Sequence, residues 1–232
     1  MLWLKAWYET RFRLLLVVVA TLVISAVASD SGPASANILP KGLEATTLIG
    51  ASVLAAIMLA GAGIKTQPAG FRPTKGLHGS MYYTLSLPVT RSRLFSVRVS
   101  LGLAETALVH VLACCAVWLV RPGIRLNAAP SDMFRHGVAA FFCVAAVYSL
   151  GVFFATFLDD LYQTWATMFT VMAAIVILNR VPLPPSLDAF LVLSRASPLI
   201  THTMPWFAIA TLLGLSAMLL LISVRIIRSR EY

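Results

Sequence analysis

The chain has 232 residues, of which 59% are apolar and 12% charged, about half the charged share of an ordinary soluble domain. So few polar residues cannot cover a soluble globule of this size, and so many apolar ones exclude a disordered or collagen-like chain. What remains is an all-α membrane protein, a single domain over 1–232, whose net charge of +9 points to lipid headgroups and not to nucleic acid.

Six stretches read as transmembrane helices, since only self-satisfied backbone survives in lipid. Residues 1–13 carry Trp3, Trp7 and Tyr8 among Lys5, Glu9, Arg11 and Arg13. Trp3 and Trp7 share a helix face, and Glu9 precedes Arg13 by four, so the segment reads as a short interfacial helix. The first span is 14–28. It also has the shape of a leader with a cleavage site at Ala26-Val27-Ala28, which is the alternative reading. Spans two to six are expected at 43–64, 94–120, 137–158, 161–178 and 205–224. Asp159-Asp160 turns the chain between the fourth and fifth. The loop 179–204 holds Pro182, Pro184, Pro185 and Pro198, with a short helix expected after Ser186.

Twelve of the 18 lysines and arginines fall on the side that six spans give to both termini, which places the termini in the cytoplasm. Cys114, Cys115 and Cys143 lie inside apolar stretches and read as small packing residues. No phosphate loop, zinc-binding His pair or nucleophile elbow occurs in the sequence, so nucleotide binding by this chain and intramembrane hydrolysis are not expected, and no metal site is.

The loop 65–93 carries the most specific pattern. Leu77, Met81 and Leu85 recur at four-residue spacing on one helix face. Pro88 stops that helix. Thr90 is placed to cap the third span, with Arg91 and Arg93 at headgroup level. A short amphipathic helix joined this tightly to a membrane helix can pass a push from a soluble partner into the bundle.

Gly79, Leu85, Leu87, Pro88, Val89, Thr90 and Arg91 resemble the coupling region of the type-2 ABC-transporter permeases, in which a glycine-led helix ends in Leu-Pro-Val-Ser/Thr-Arg before the third span. The segment from Trp3 to Arg13 is similar to that family's interfacial elbow helix, and the six-span layout agrees. Where the family often has an acidic and a basic residue before the glycine, this chain has Gly76-Leu77-His78. The resemblance implies a bacterial inner-membrane exporter subunit without a motor of its own. It would pair with a second permease copy or paralogue and dock Gly79, Met81, Leu85, Leu87, Pro88, Thr90 and Arg91 against a separate ATPase dimer that holds the ATP and magnesium. A non-transporting scaffold that recruits a soluble partner through the same loop is the alternative.

Glu105 stands 12 residues beyond Arg93, a helix rise of ~18 Å that carries it toward mid-bilayer. An acid there is by default a functional candidate; an acid buried against a neighbouring helix, either protonated or paired with Arg98, is the plainer reading. His110, Ser149 and Thr164 complete the candidate substrate path.

Overall fold

A computed structural model of the chain describes residues 2–27, 53–60, 90–120, 129–158, 161–178 and 202–229. Among the described residues every regular element is a helix: α1 (Leu2–Val27), α2 (53–59), α3 (Arg91–Val120), α4 (Pro130–Phe157), α5 (Leu161–Leu178) and α6 (Trp206–Ser229). Three of them are long and apolar enough to cross a bilayer, over Ser92–Leu119, Pro130–Phe157 and Trp206–Ser229, and the chain is an integral membrane protein. Most of the expected second span, the loop 65–93 up to Val89, the Asp159-Asp160 turn and 179–201 lie outside the described residues.

The helix ends differ from the sequence expectation where a local signal outweighs hydropathy. Residues 1–13 are not an element of their own, because α1 runs unbroken from Leu2 to Val27. No glycine or proline interrupts it, and Ala6, Thr10, Leu14, Val17 and Thr21 form one buried face across the expected break. The fourth helix begins seven residues before Gly137. Pro130 occupies its first turn, where a missing N–H costs nothing, and Asp132 follows at the positive end of the dipole. The last helix continues past Val224 to Ser229. The fifth has the expected bounds. Thr90 sits where a cap is expected: its carbonyl accepts from Arg93 N at 3.0 Å and Leu94 N at 3.1 Å.

α4 is the axis of the bundle. It is the most enclosed of the three long apolar helices, and α6 is the least. α3 lies antiparallel to it: Tyr148 reaches back to Val99 while Gly137 meets His110. α6 lies parallel to it, with Ala139, Cys143 and Ala146 packed on Ile209 and Leu212. The main core joins Leu14 and Val17 of α1, Ile57 and Leu59 of α2, Phe95 and Val109 of α3, Val144 and Val152 of α4, and Met168 of α5. Small residues let these helices approach closely, as bilayer packing requires when lipid is as apolar as the core. A Cβ on Gly151 would collide with the Ala60 methyl. Cys143 is buried in this packing, Cys114 is half-buried and Cys115 faces out; all three are free thiols.

Candidate functional site

The four path candidates sit on three helices and face different neighbours. Glu105 lies halfway along α3 and is 3% exposed. Its Oε1 accepts a hydrogen bond from the Thr10 hydroxyl of α1. That hydroxyl also stands 3.2 Å from Ala6 O and 3.4 Å from Trp7 O. The hydroxyl has one proton to give and all three of these oxygens are acceptors; given to Glu105 it ties α1 to α3. Glu105 Oε2 is buried with no hydrogen-bond partner among the described residues. One turn earlier, Gly102 opens a notch that the Tyr148 phenol of α4 fills, and the Tyr148 hydroxyl donates to Val99 O at 3.3 Å. Thr106 is fully buried and donates to Gly102 O at 2.8 Å. Three helices therefore meet around one mid-membrane acid, and the partner it finds is Thr10.

His110 is five residues further along α3, which turns it away from Glu105 and toward α4. Its Nε2–H donates to Gly137 O at 3.0 Å, and Cys114 Sγ lies 3.5 Å from the same nitrogen. His110 lines an open, apolar groove of about 570 Å³ between the second half of α3 and the first half of α4. Ser149 is buried and donates to Ala145 O of its own helix at 2.8 Å, a common arrangement for hydroxyls in membrane helices. Thr164 is buried on α5. Among the described residues these four do not converge on one cavity. Of the coupling residues, Thr90 is exposed at the start of α3 and Arg91 opens that helix, while Gly79, Met81, Leu85, Leu87 and Pro88 lie outside the described residues.

Two features were missed by sequence reasoning. Thr10 is separated from Glu105 by 95 positions, and nothing in the local pattern of α1 marks it. The second is a polar clamp where α4 begins. Asp132 is 6% exposed; it accepts from Arg135 Nη1 at 3.1 Å and from His202 Nδ1 at 2.6 Å. Arg135 Nη1 also donates to His202 O at 2.8 Å. His202 has φ of +54°, a left-handed backbone that non-glycine residues seldom adopt, and both its ring and its carbonyl are held. The clamp ties the start of α4 to the chain entering α6 and so fixes the register of the parallel pair. Pro130 followed by Asp132 is a helix-start signal and marks where α4 begins; it does not point to His202, 70 positions away.

The Thr10 link has a measurable consequence. Thr10→Val keeps the shape and leaves both carboxyl oxygens of Glu105 buried without a donor, at a cost of about 1–3 kcal/mol. Thr106→Val removes a hydroxyl that bonds only within its own helix and is expected to cost under about 0.5 kcal/mol. Unfolding of the purified full chain in detergent, followed by helical circular dichroism, separates the two; equal losses would remove Thr10 as a tie between α1 and α3.

In comparisons with known proteins, no protein-family model and no curated protein matches the chain.

Proposed function

We propose that the chain is the membrane-spanning permease subunit of an ABC exporter, one of a pair, driven by a separate ATPase dimer that binds the ATP and magnesium. The observation that carries this reading is the junction at Thr90. The segment Gly79 to Val89, whose sequence spaces Met81 and Leu85 four apart and carries Pro88, is followed within two residues by an unbroken 30-residue helix. Fourteen residues into that helix stands the buried Glu105. A displacement of the loop is on this reading passed to α3 and to the acid tied to α1. On this reading the loop is the coupling helix and six spans cross a bacterial inner membrane with both termini cytoplasmic. The antiparallel sense of α3 and the parallel sense of α4 and α6 support that topology: the start of α3, with Arg93, and the end of α6, with Arg225 and Arg228, then share the cytoplasmic side. Glu105, whose Oε2 has no hydrogen-bond partner among the described residues, His110, Ser149 and Thr164 are the side chains proposed to meet the cargo as the paired subunits rock.

The test is purification of the intact chain from its native membranes under mild detergent. A nucleotide-hydrolysing chain that comes with it in equal amount supports the permease. A soluble partner without a phosphate loop favours a recruiting scaffold, and recovery of the chain alone counts against both.

A further inference from the structure

We propose that Glu105 is a proton-binding site: the folded bundle holds one proton between its carboxyl and the Thr10 hydroxyl, and gives it up only where α1 parts from α3. This inference is independent of the transport reading and needs only that α3 lies in a membrane.

The surroundings leave the carboxyl without a counter-charge. Glu105 stands inside the membrane-crossing segment Ser92–Leu119 and is 3% exposed. Its Oε2 is closed off and takes no hydrogen bond from any described residue. The polar groups nearby are committed elsewhere: Tyr148 of α4 donates to Val99 O, Thr106 to Gly102 O and His110 to Gly137 O. The described charged side chains of α1, α3 and α4 are Arg11 and Arg13, Arg93 and Arg98, and Asp132 and Arg135. None of these cations donates to Oε2. Arg11 lies over the Tyr8 and Phe12 rings, and Asp132 and Arg135 are tied to His202 at the start of α4. A charge left uncompensated in hydrocarbon is far costlier to bury than a neutral acid, so a carboxyl in such a place takes up a proton. An organic or metal cation would need a cavity at Oε2. A proton needs none.

The oxygens are already placed for that proton. Thr10 Oγ1 lies within hydrogen-bonding reach of Glu105 Oε1 and 3.2 Å from Ala6 O. With the acid charged, the one hydroxyl proton serves Oε1 and Oε2 stays a bare anion. With the acid protonated the direction reverses: Oε1–H donates to Thr10 Oγ1, and Thr10 Oγ1–H donates to Ala6 O. Both protons are then used, no charge is buried, and Oε2 is a neutral carbonyl oxygen. Release of the proton leaves a carboxylate that only water can satisfy, and water reaches it when α1 moves off. The folded chain therefore carries one proton more than the chain in which Glu105 is solvated. A state that holds the extra proton loses stability as pH rises, because the competing state gains each time protons become scarcer.

The test is infrared spectroscopy of the full chain in phosphatidylcholine bilayers at about pH 8, where solvated carboxyls are charged. A bound proton predicts one carbonyl stretch of a neutral carboxylic acid, above the amide band, that moves down in heavy water. The band is read in the unaltered chain, so it does not depend on a variant folding. Glu105→Gln, whose amide keeps the shape and can donate to Thr10, removes the band, and Thr10→Val shifts it by taking away the hydrogen-bond partner. The second readout is unfolding by sodium dodecyl sulfate between about pH 6 and about pH 8. The unfolding constant of the unaltered chain is expected to rise about tenfold per pH unit more steeply than that of Glu105→Gln. An acid band that is absent, or that Glu105→Gln leaves in place, overturns the proposal. So do carboxylate stretches lost in Glu105→Gln, a band that Thr10→Val leaves unmoved, or equal pH slopes for the two chains.

Discussion

Replacing Leu85 and Leu87 together by aspartate is expected to abolish association with the proposed ATPase partner while the chain still inserts and purifies normally. On the four-residue pattern Leu85 belongs to the apolar face that also holds Leu77 and Met81, and Leu87 precedes the proline that ends the segment. A docking contact built on such a face must exclude water. Burying an unpaired carboxylate there costs several kcal/mol, and even about 3 kcal/mol for each site is a more than hundredfold loss of affinity. In the free chain the same segment is expected to stand in the cytoplasm, where an aspartate is well solvated. The two readouts therefore diverge: membrane-embedded yield and helical content hold, and co-purifying ATPase falls to background. A conservative pair, Leu85→Met with Leu87→Met, keeps the apolar surface and is expected to retain the partner.

The second large effect falls inside the bundle. Gly102→Ala is expected to destabilise the full chain by about 1–3 kcal/mol. Helix propensity alone argues the other way, since alanine gains about 1 kcal/mol over glycine in a helix interior. Packing decides the sign. A Cβ at Gly102 meets the Tyr148 hydroxyl and comes within 2.9 Å of Cζ and 3.2 Å of Cε2. The phenol is 2% exposed and bonded to Val99 O, so it has no empty space to swing into. Gly214 on α6 has nothing within 4 Å of its Cβ position, and Gly214→Ala is expected to be neutral or stabilising by up to about 1 kcal/mol. Tyr148→Phe removes the nearest atom and is expected to recover part of the Gly102→Ala loss. Thermal unfolding of the four proteins measures this directly, and an equal response at Gly102 and Gly214 would mean that α3 and α4 are not packed through this notch.

What could be read from the sequence tracks the range of the forces involved. The bounds of α5 followed from hydropathy because Asp159-Asp160 on one side and Asn179-Arg180 with Pro182 on the other interrupt the apolar run sharply. α3 was readable at both ends, since Pro88 and Thr90 start it and Arg121 follows its end. α1 was divided at Arg13 because charge changes there, yet helix continuity depends on backbone breakers and buried faces, and neither changes at that residue. α4 was begun too late because its first turn is polar; the signal was the helix-start chemistry of Pro130 and Asp132. Glu105 was found from its distance along one helix. Its partner Thr10, the notch that Tyr148 fills and the clamp at His202 join residues 95, 46 and 70 positions apart, and a single sequence carries no pairwise signal for those. His110 was flagged as polar within a span, but its place on an apolar groove depends on how α4 turns its glycine and phenylalanines toward α3.

A thiol introduced in the loop tests the coupling role most directly. Leu85→Cys, in a background with Cys114, Cys115 and Cys143 replaced by alanine, is treated in native membranes with a short thiol-to-amine crosslinker. A docked lever predicts a single crosslinked product with a nucleotide-hydrolysing chain, and protection of the introduced thiol from a membrane-impermeant maleimide whenever that chain is present. Free labelling of that thiol in native membranes with no crosslinked ATPase would contradict it.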